Sequence, residues 1–285
     1  MGIPFKAALD GKVAVVTGGG GVLCSAFCRA LAESGASVAV LDLRAEGAEK
    51  VAASIREAGG KAIGLACNVL ERASLEAARD AVLEAFGGID LLVNGAGGNN
   101  PRAQTDREYL LEEDLLQSAS EVRTFFDLDA AGVEFVFNLN FLGTLLPTQV
   151  FAREMCGRPG AAILNVSSMN AFRPLTKIPA YSAAKSAVSN LTMWLAVHFS
   201  KVGIRVNAIA PGFFVTDQNR GLLFDASGKP TARTEKILAA TPMGRFGAPE
   251  ELIGTLLYLC DEGASGFVNG AVIPVDGGFA AYSGV

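Results

Sequence analysis

Tyr181 and Lys185 stand four residues apart, one turn along a helix that begins near Ala180, so their side chains share a face. A free phenol has a pKa of about 10 and is a poor base at neutral pH. A neighbouring ammonium favours the phenolate, and such a pair could move a proton on or off a substrate oxygen. Ser168 follows an apolar run, where its hydroxyl could bond that same oxygen. Asn140 lies in a long apolar stretch further upstream and could hold a water between Lys185 and solvent. A Tyr–Lys pair alone is ordinary on a helix surface; the surrounding pattern gives it weight.

The second group of candidates is the glycine-rich run Thr17-Gly18-Gly19-Gly20-Gly21-Val22-Leu23, between a first apolar strand and a first helix. Glycines there let backbone approach a pyrophosphate, and the N–H groups and dipole at a helix start favour its charge. Asp42 ends the second strand, Val38-Ala39-Val40-Leu41-Asp42. A carboxylate at that point accepts hydrogen bonds from both adenosine ribose hydroxyls and repels a 2′-phosphate, so NAD is expected in preference to NADP. Arg44, two residues on, softens that preference. Asn94-Gly95-Ala96-Gly97 follows the fourth strand and suits passage beneath the riboses; by itself it could equally be a turn.

These residues need a frame, and the patterning supplies one. Apolar, β-branched runs at 13–16, 37–41, 61–66, 89–93, 162–166, 204–209 and 271–275 alternate with helical periodicity at 24–34, 45–58, 72–86, 133–155, 180–202 and 249–260. Pro147 is expected to kink or interrupt the fourth helix. Strands apolar at nearly every position are those covered on both faces. The expectation is a single α/β domain over 1–285: a Rossmann-type, doubly wound parallel sheet of about seven strands with helices on both faces. Two stretches break the rhythm, an insertion over 99–130 and a segment over 216–245. Both leave carboxyl ends of strands, and they are read as substrate walls and a lid.

Composition narrows the function. Half of the 285 residues are hydrophobic and 19% are charged, a globular balance. A net charge of −5 without a basic run argues against nucleic acid. The five cysteines are scattered and lack metal-ligand spacing, so no metal is expected and they read as reduced core residues. The start lacks a signal-peptide pattern, and no run reads as long and apolar enough to span a bilayer. A cytoplasmic, soluble protein is the expectation. His198 reads as a packing or surface residue, and Trp194 as core or interface.

Thr17-Gly18, Asn94-Gly95-Ala96-Gly97, Asn140, Ser168, Tyr181-Ser182-Ala183-Ala184-Lys185 and Pro211-Gly212-Phe213-Phe214-Val215-Thr216 together resemble the short-chain dehydrogenase/reductase family, over the whole chain and in the family's order. The resemblance implies Tyr181 as acid/base, Lys185 as its pKa modulator and ribose ligand, Ser168 as stabiliser of the substrate oxygen, and Asn140 as proton-relay anchor. It implies cofactor contacts from Thr17, Gly18, Gly20, Gly21, Val22, Leu23, Asp42, Asn68, Val69, Asn94, Ala96, Gly97, Tyr181, Lys185, Pro211, Gly212, Phe214 and Thr216. It also implies a homotetramer, and the apolar stretch 278–282 is compatible with burial against a neighbour. The chain departs from the family pattern in three places. Val22 and Cys24 stand where glycines are usual, and Asn68 stands for the usual aspartate beside adenine. Cys24 adds a side chain where strand, helix and phosphate come close.

A tighter resemblance, through Gly97-Gly98-Asn99-Asn100-Pro101, Asn140-Phe141-Leu142-Gly143-Thr144-Leu145-Leu146-Pro147-Thr148, Ser168-Met169-Asn170-Ala171-Phe172-Arg173-Pro174-Leu175 and Pro274-Val275-Asp276-Gly277-Gly278-Phe279, is to the D-mannonate oxidoreductase (fructuronate reductase) branch. That implies a sugar-acid or polyol substrate, whose carboxylate wants a cation and whose hydroxyls want amides. Asn99, Asn100, Arg102, Asn170, Arg173, Phe213, Gln218, Asn219 and Arg220 are the candidates. At least one of Arg102, Arg173 and Arg220 is expected to pair with the carboxylate. Two alternatives stand beside this reading: a gluconate- or 3-ketoacyl-type reductase on the same frame, and a catalytically weak dinucleotide-binding regulator.

Overall fold

The computed structural model describes residues 7–216 and 220–284. Its seven strands are β1 (Val13–Thr17), β2 (Ser37–Asp42), β3 (Lys61–Ala66), β4 (Leu91–Asn94), β5 (Ala162–Val166), β6 (Arg205–Pro211) and β7 (Val272–Val275). They form one parallel sheet in the order β3-β2-β1-β4-β5-β6-β7. The helices are α1 (Val22–Glu33), α2 (Ala45–Glu57), α3 (Arg72–Phe86), α4 (Ala130–Phe137), α5 (Gly143–Met155), α6 (Pro179–His198), α7 (Arg220–Leu223), α8 (Ala232–Ala239), α9 (Ile253–Cys260) and α10 (Glu262–Ser265).

Strand residues alternate between two apolar layers, which explains why they are apolar at successive positions. Ala14, Val16, Val38 and Val40 pack with Phe27 and Leu31 of α1, Val51 and Ile55 of α2 and Leu256 of α9. Val13, Val15, Ala39 and Leu41 face the other way, onto Leu75 and Val82 of α3, Phe151 and Met155 of α5 and Leu195 of α6. In register, Val15 lies beside Ala39 on one flank and Leu92 on the other. Strand order reverses between β1 and β4, so a crevice opens at their carboxyl ends.

The helix expected over 133–155 starts earlier, at Ala130, and contains a π turn at Asn138–Leu142. Pro147 stays inside α5 instead of ending it. The wide turn just upstream absorbs the displacement that a proline ring forces on the preceding carbonyls. Against the sequence reading, this 130–155 stretch is long and apolar enough to cross a membrane by composition alone, with mean hydropathy 1.3. Half of its most apolar window is buried inside the protein, where Val150, Phe151 and Met155 join the core, so it is a core helix here. Cys24, Cys28, Cys67 and Cys260 are buried as expected; Cys156 is exposed. Trp194 is exposed rather than core and stacks on His198 at 4.5 Å.

Candidate functional site

The glycine turn runs from β1 into α1. Gly21 caps α1 without a side-chain hydrogen bond, and the first turn carries no acidic residue. Its amide groups are thus left for an anion. Asp42 closes the turn from the β2 side: one carboxylate oxygen accepts the Gly20 N–H at 3.1 Å and the other accepts the Arg44 N–H at 3.0 Å. A Cβ on residue 20 would lie 2.9 Å from that carboxylate, so the approach needs glycine. Thr17 closes β1. It is wholly buried, and its hydroxyl accepts the N–H groups of Gly95 at 3.1 Å and Ala96 at 3.2 Å. Thr17 thus ties β1 to the loop after β4. Asn94 is buried, and its amide donates to Thr148 and Asn165, both at 2.9 Å.

Cys24 does not fill the space expected of it. Its sulfur turns toward Gly95, where a Cβ would come within 2.2 Å, and it is buried among core residues. Burial pushes the thiol up to about 12, against the pull of the Lys185 ammonium. The side chain added at 24, where the family pattern has glycine, is accommodated by the side chain absent at 95. Asn68 forms a local turn, accepting from the Leu70 N–H at 3.1 Å and donating to Glu71 at 2.8 Å, and Val69 beside it is buried. Pro211 and Phe214 are buried; Gly212 lies against Asp276 and Thr216 follows at the edge of the described chain.

Beyond β5 the chemistry-bearing groups converge. Lys185 is buried on α6, and its ammonium donates to the Val166 carbonyl at 2.8 Å while standing 5.7 Å from the Tyr181 ring centre. Asn140, in the π turn, is fully buried. It donates to the carbonyls of Gly98 at 2.7 Å and Val136 at 2.8 Å and accepts from the Gly98 N–H at 3.3 Å. A Cβ on Gly97 would sit 2.8 Å from the Asn140 oxygen and 3.2 Å from the Lys185 nitrogen, so both groups close on one point. Ser168 accepts the Asn170 N–H at 3.3 Å, and its hydroxyl lies near enough to the Tyr181 phenol to favour the phenolate. The electrostatics differ from the sequence expectation. Burial pushes the half-buried phenol up to about 12, and only the neighbouring Ser168 hydroxyl pulls against it. Burial also lowers Lys185 to about 8, against a small lift from Cys24. In the protein alone, desolvation outweighs any help the ammonium gives the phenolate.

The expected substrate residues divide. Asn170 is buried beside Ser168 with its side-chain oxygen unbonded among the described residues. Asn99 and Asn100 accept neighbouring amides in the turn that starts the insertion. Arg102 forms an exposed ion pair with Asp129. Arg173 is exposed, Arg220 opens α7, and Gln218 and Asn219 lie outside the described residues. Phe213 packs edge-on against Phe279 at 5.2 Å, so the C-terminal stretch folds back over the site instead of facing only outward.

The insertion and the 216–245 segment meet there. Thr105 donates its N–H to the Lys177 carbonyl at 2.9 Å, and Glu108 pairs with Lys236 of α8 at 2.8 Å. Between them is a cavity of about 290 Å³ lined by Glu108, Lys177, Arg233, Lys236, Phe213 and Phe279 among others.

The model of the family described as short chain dehydrogenase matches residues 12–225. The chain belongs to the short-chain dehydrogenase family. It is accordingly an oxidoreductase acting on alcohol groups, built on this family's parallel sheet. Among similar proteins, the uncharacterized oxidoreductase UxuB of Bacillus subtilis (strain 168) is 54% identical over 99% of this chain and 100% of its own. A solved structure from Haemophilus influenza, described as a proposed D-mannonate oxidoreductase with bound NAD, is 60% identical, with TM-score 0.92 over 98% of each chain. A gluconate 5-dehydrogenase from Burkholderia cenocepacia J2315, in complex with NADP and tartrate, is 30% identical, with TM-score 0.80 over 98% of each chain.

Sequence patterning does not single out the charged cavity of this short-chain dehydrogenase. Lys229, Arg233 and Lys236 crowding one segment of an acidic chain is the available signal for part of it. Glu108 arrives from 128 positions away and Lys177 through its backbone conformation, and neither leaves a mark in spacing.

Proposed function

We propose that this short-chain dehydrogenase exchanges hydride between NAD(H) and a secondary alcohol or ketone of a sugar acid. D-mannonate and D-fructuronate are the pair favoured by its likeness to the Haemophilus influenza protein. The observation that carries the reading is the convergence of Ser168, Tyr181 and Lys185 beside the switch-point crevice.

The bare first turn of α1 suits the pyrophosphate and Asp42 suits the ribose hydroxyls, so the residues present fit NAD. When bound, NAD supplies a nicotinamide C4 that accepts or returns the hydride. Tyr181 holds the proton of the carbinol oxygen, taking it on oxidation and giving it back on reduction. Ser168, beside the phenol, bonds the same oxygen and orients it. Lys185 supplies positive charge near the ring and has further N–H groups for a ribose, its first being fixed by Val166. Asn140 fixes the backbone at Gly98 and lies beside Lys185, where a water between them would carry the proton outward.

A phenol held at about 12 makes a poor base, so the fixed positive charge of an oxidised nicotinamide ring has a task here. Residues 216–245 act as a lid on this reading, and 99–130 as the facing wall. The exposed Met193, Trp194 and Val197 of α6 supply an apolar face for assembly into a homotetramer, and the enzyme works in the cytoplasm.

The test is a panel of D-mannonate, D-gluconate, a 3-ketoacyl ester and neutral polyols, each run with both nucleotides. The reading expects D-mannonate to have the highest kcat/KM, with NAD. A preference for gluconate with NADP would favour the second reading, suggested by the Burkholderia cenocepacia enzyme.

A further inference from the structure

We infer that the cavity between the insertion and α8 is an anion site, in which Lys177 and Arg233 hold the carboxylate of the substrate. The inference rests on the sugar-acid reading and names residues for it that lie outside the catalytic group.

The charge count is the starting point. In a chain of net charge −5, three cations and one acid line this cavity: Lys177, Arg233 and Lys236 against Glu108. Glu108 bonds Lys236, and its carboxyl is held below the usual range by that bond first and by the fields of Lys177 and Arg233 as well. One carboxylate of the protein thus already sits among all three. Two positive charges remain over, and neither Lys177 nor Arg233 has an ion-pair partner among the described residues. Two uncompensated cations between the walls of Phe213 and Phe279 are suited to an anion, and a neutral polyol would leave them unpaired.

The second observation is backbone geometry. Lys177 has φ 71°, the left-handed region, and is alone among the described non-glycine residues in doing so. The N–H of Thr105 on its carbonyl fixes that turn. L side chains adopt such a conformation at a cost, and it is retained where surrounding structure over-determines it, commonly at ligand sites. Here it sets the side chain into the cavity just before Pro179 starts α6. Tyr181 follows four residues later, at most about 14 Å along the chain. Phe213, two residues past the end of β6, lines the same cavity. A small acid could therefore have its carbinol at the phenol and its carboxylate here.

A rival account makes the Glu108–Lys236 pair a latch holding the segments together, with no anion. The two accounts predict opposite signs. The experiment compares kcat/KM for D-mannonate, D-mannitol and D-mannitol 1-phosphate in wild-type enzyme and the variants Lys177→Met, Arg233→Met and Glu108→Gln. Calorimetric binding of D-mannonate to the enzyme–NADH complex serves as a readout independent of turnover. Each cation variant is expected to lower the mannonate-to-mannitol ratio, and to weaken mannonate binding, by about 10- to 100-fold, as for a hydrogen bond to a charged group. Glu108→Gln is expected to raise both, because it removes the internal competitor. If all three variants lower acid and polyol alike, or leave the ratio unchanged, the anion site is wrong and the latch stands. A wild-type preference for the 1-phosphate, lost in Lys177→Met, overturns the carboxylate assignment. Wild-type enzyme that neither oxidises nor binds mannonate overturns the sugar-acid reading itself, and this inference with it.

Discussion

Replacing Asp42 by Asn tests the nucleotide assignment with little structural disturbance. The amide keeps one oxygen for the Gly20 N–H, at 3.1 Å in the wild type, and gives up the acceptor of the Arg44 N–H, so the turn retains its tie to β2 while losing the negative charge. The quantity at stake is repulsion between that carboxylate and a 2′-phosphate, which carries about 1.5 to 2 charges near neutral pH. At a separation of about 4 Å, unit charges interact by about 1 kcal/mol in water and about 4 kcal/mol at an effective dielectric of 20. For 1.5 charges the range is about 1.5 to 6 kcal/mol, or about tenfold to 10⁴-fold in affinity. Asp42 is half-buried at the rim of the crevice, so screening keeps the expected value in the lower half, about 10- to 100-fold. The assay is titration of NADH and NADPH by nucleotide fluorescence in 0.02 M and 0.2 M salt. Wild-type enzyme is expected to prefer NADH, the preference shrinking with salt, and Asp42→Asn to lose most of it. Equal wild-type affinities, or a variant with an unchanged ratio, would refute the reasoning.

Tyr181→Phe removes the proposed proton carrier and should cut turnover by about 10² to 10⁴-fold while leaving NADH binding nearly intact, read by steady-state kinetics and fluorescence titration. Gly97→Ala inserts a methyl 2.8 Å from the Asn140 oxygen and 3.2 Å from the Lys185 nitrogen. It should leave the circular dichroism spectrum native and lower kcat by at least about tenfold, since small misplacements of catalytic groups are expensive. Alkaline stability follows from the buried groups. Cys24 and Cys260 are raised to about 12 from 9.0, and Tyr181 to about 12 from 10.0, so the stability they give is full below pH 9 and is lost as pH climbs to 12. Lys185, lowered to about 8 from 10.5, works the other way: its contribution is complete above 10.5 and fades as pH falls through 8. Thermal unfolding midpoints should therefore fall gently between pH 9 and 10, where the Lys185 gain offsets part of the thiols' loss, and steeply above 10.5. A midpoint rising through that last interval would contradict the assigned burial.

The frame was legible because the central strands β1, β2, β4, β5 and β6 are buried on both faces and must be apolar almost throughout, so their runs announce themselves in composition. Boundaries moved by a few residues, and the helix around Asn140 held a π turn that no periodicity marks, because a single wide turn hardly changes which residues face the core. Residue types at the reacting end were legible for a similar local reason: Tyr181 and Lys185 share a helix face by spacing alone. Their electrostatics were not. Whether an ammonium or desolvation governs the phenol depends on how much protein covers it, and burial is a property of the packed chain.

Sequence by itself thus determined the alternation of elements, the glycine turn with its acid on the next strand, and the helix carrying tyrosine and lysine, since all of these follow from short-range spacing and the need to bury apolar faces. Tertiary structure alone decided that Thr17 and Asn94 are struts, that the Cys24 sulfur fits against Gly95, that Arg102 is taken by Asp129, and that Glu108, Lys177, Arg233 and Lys236 surround one cavity. Each of those depends on partners distant in the chain, and which distant groups meet is fixed only when the sheet and its loops close.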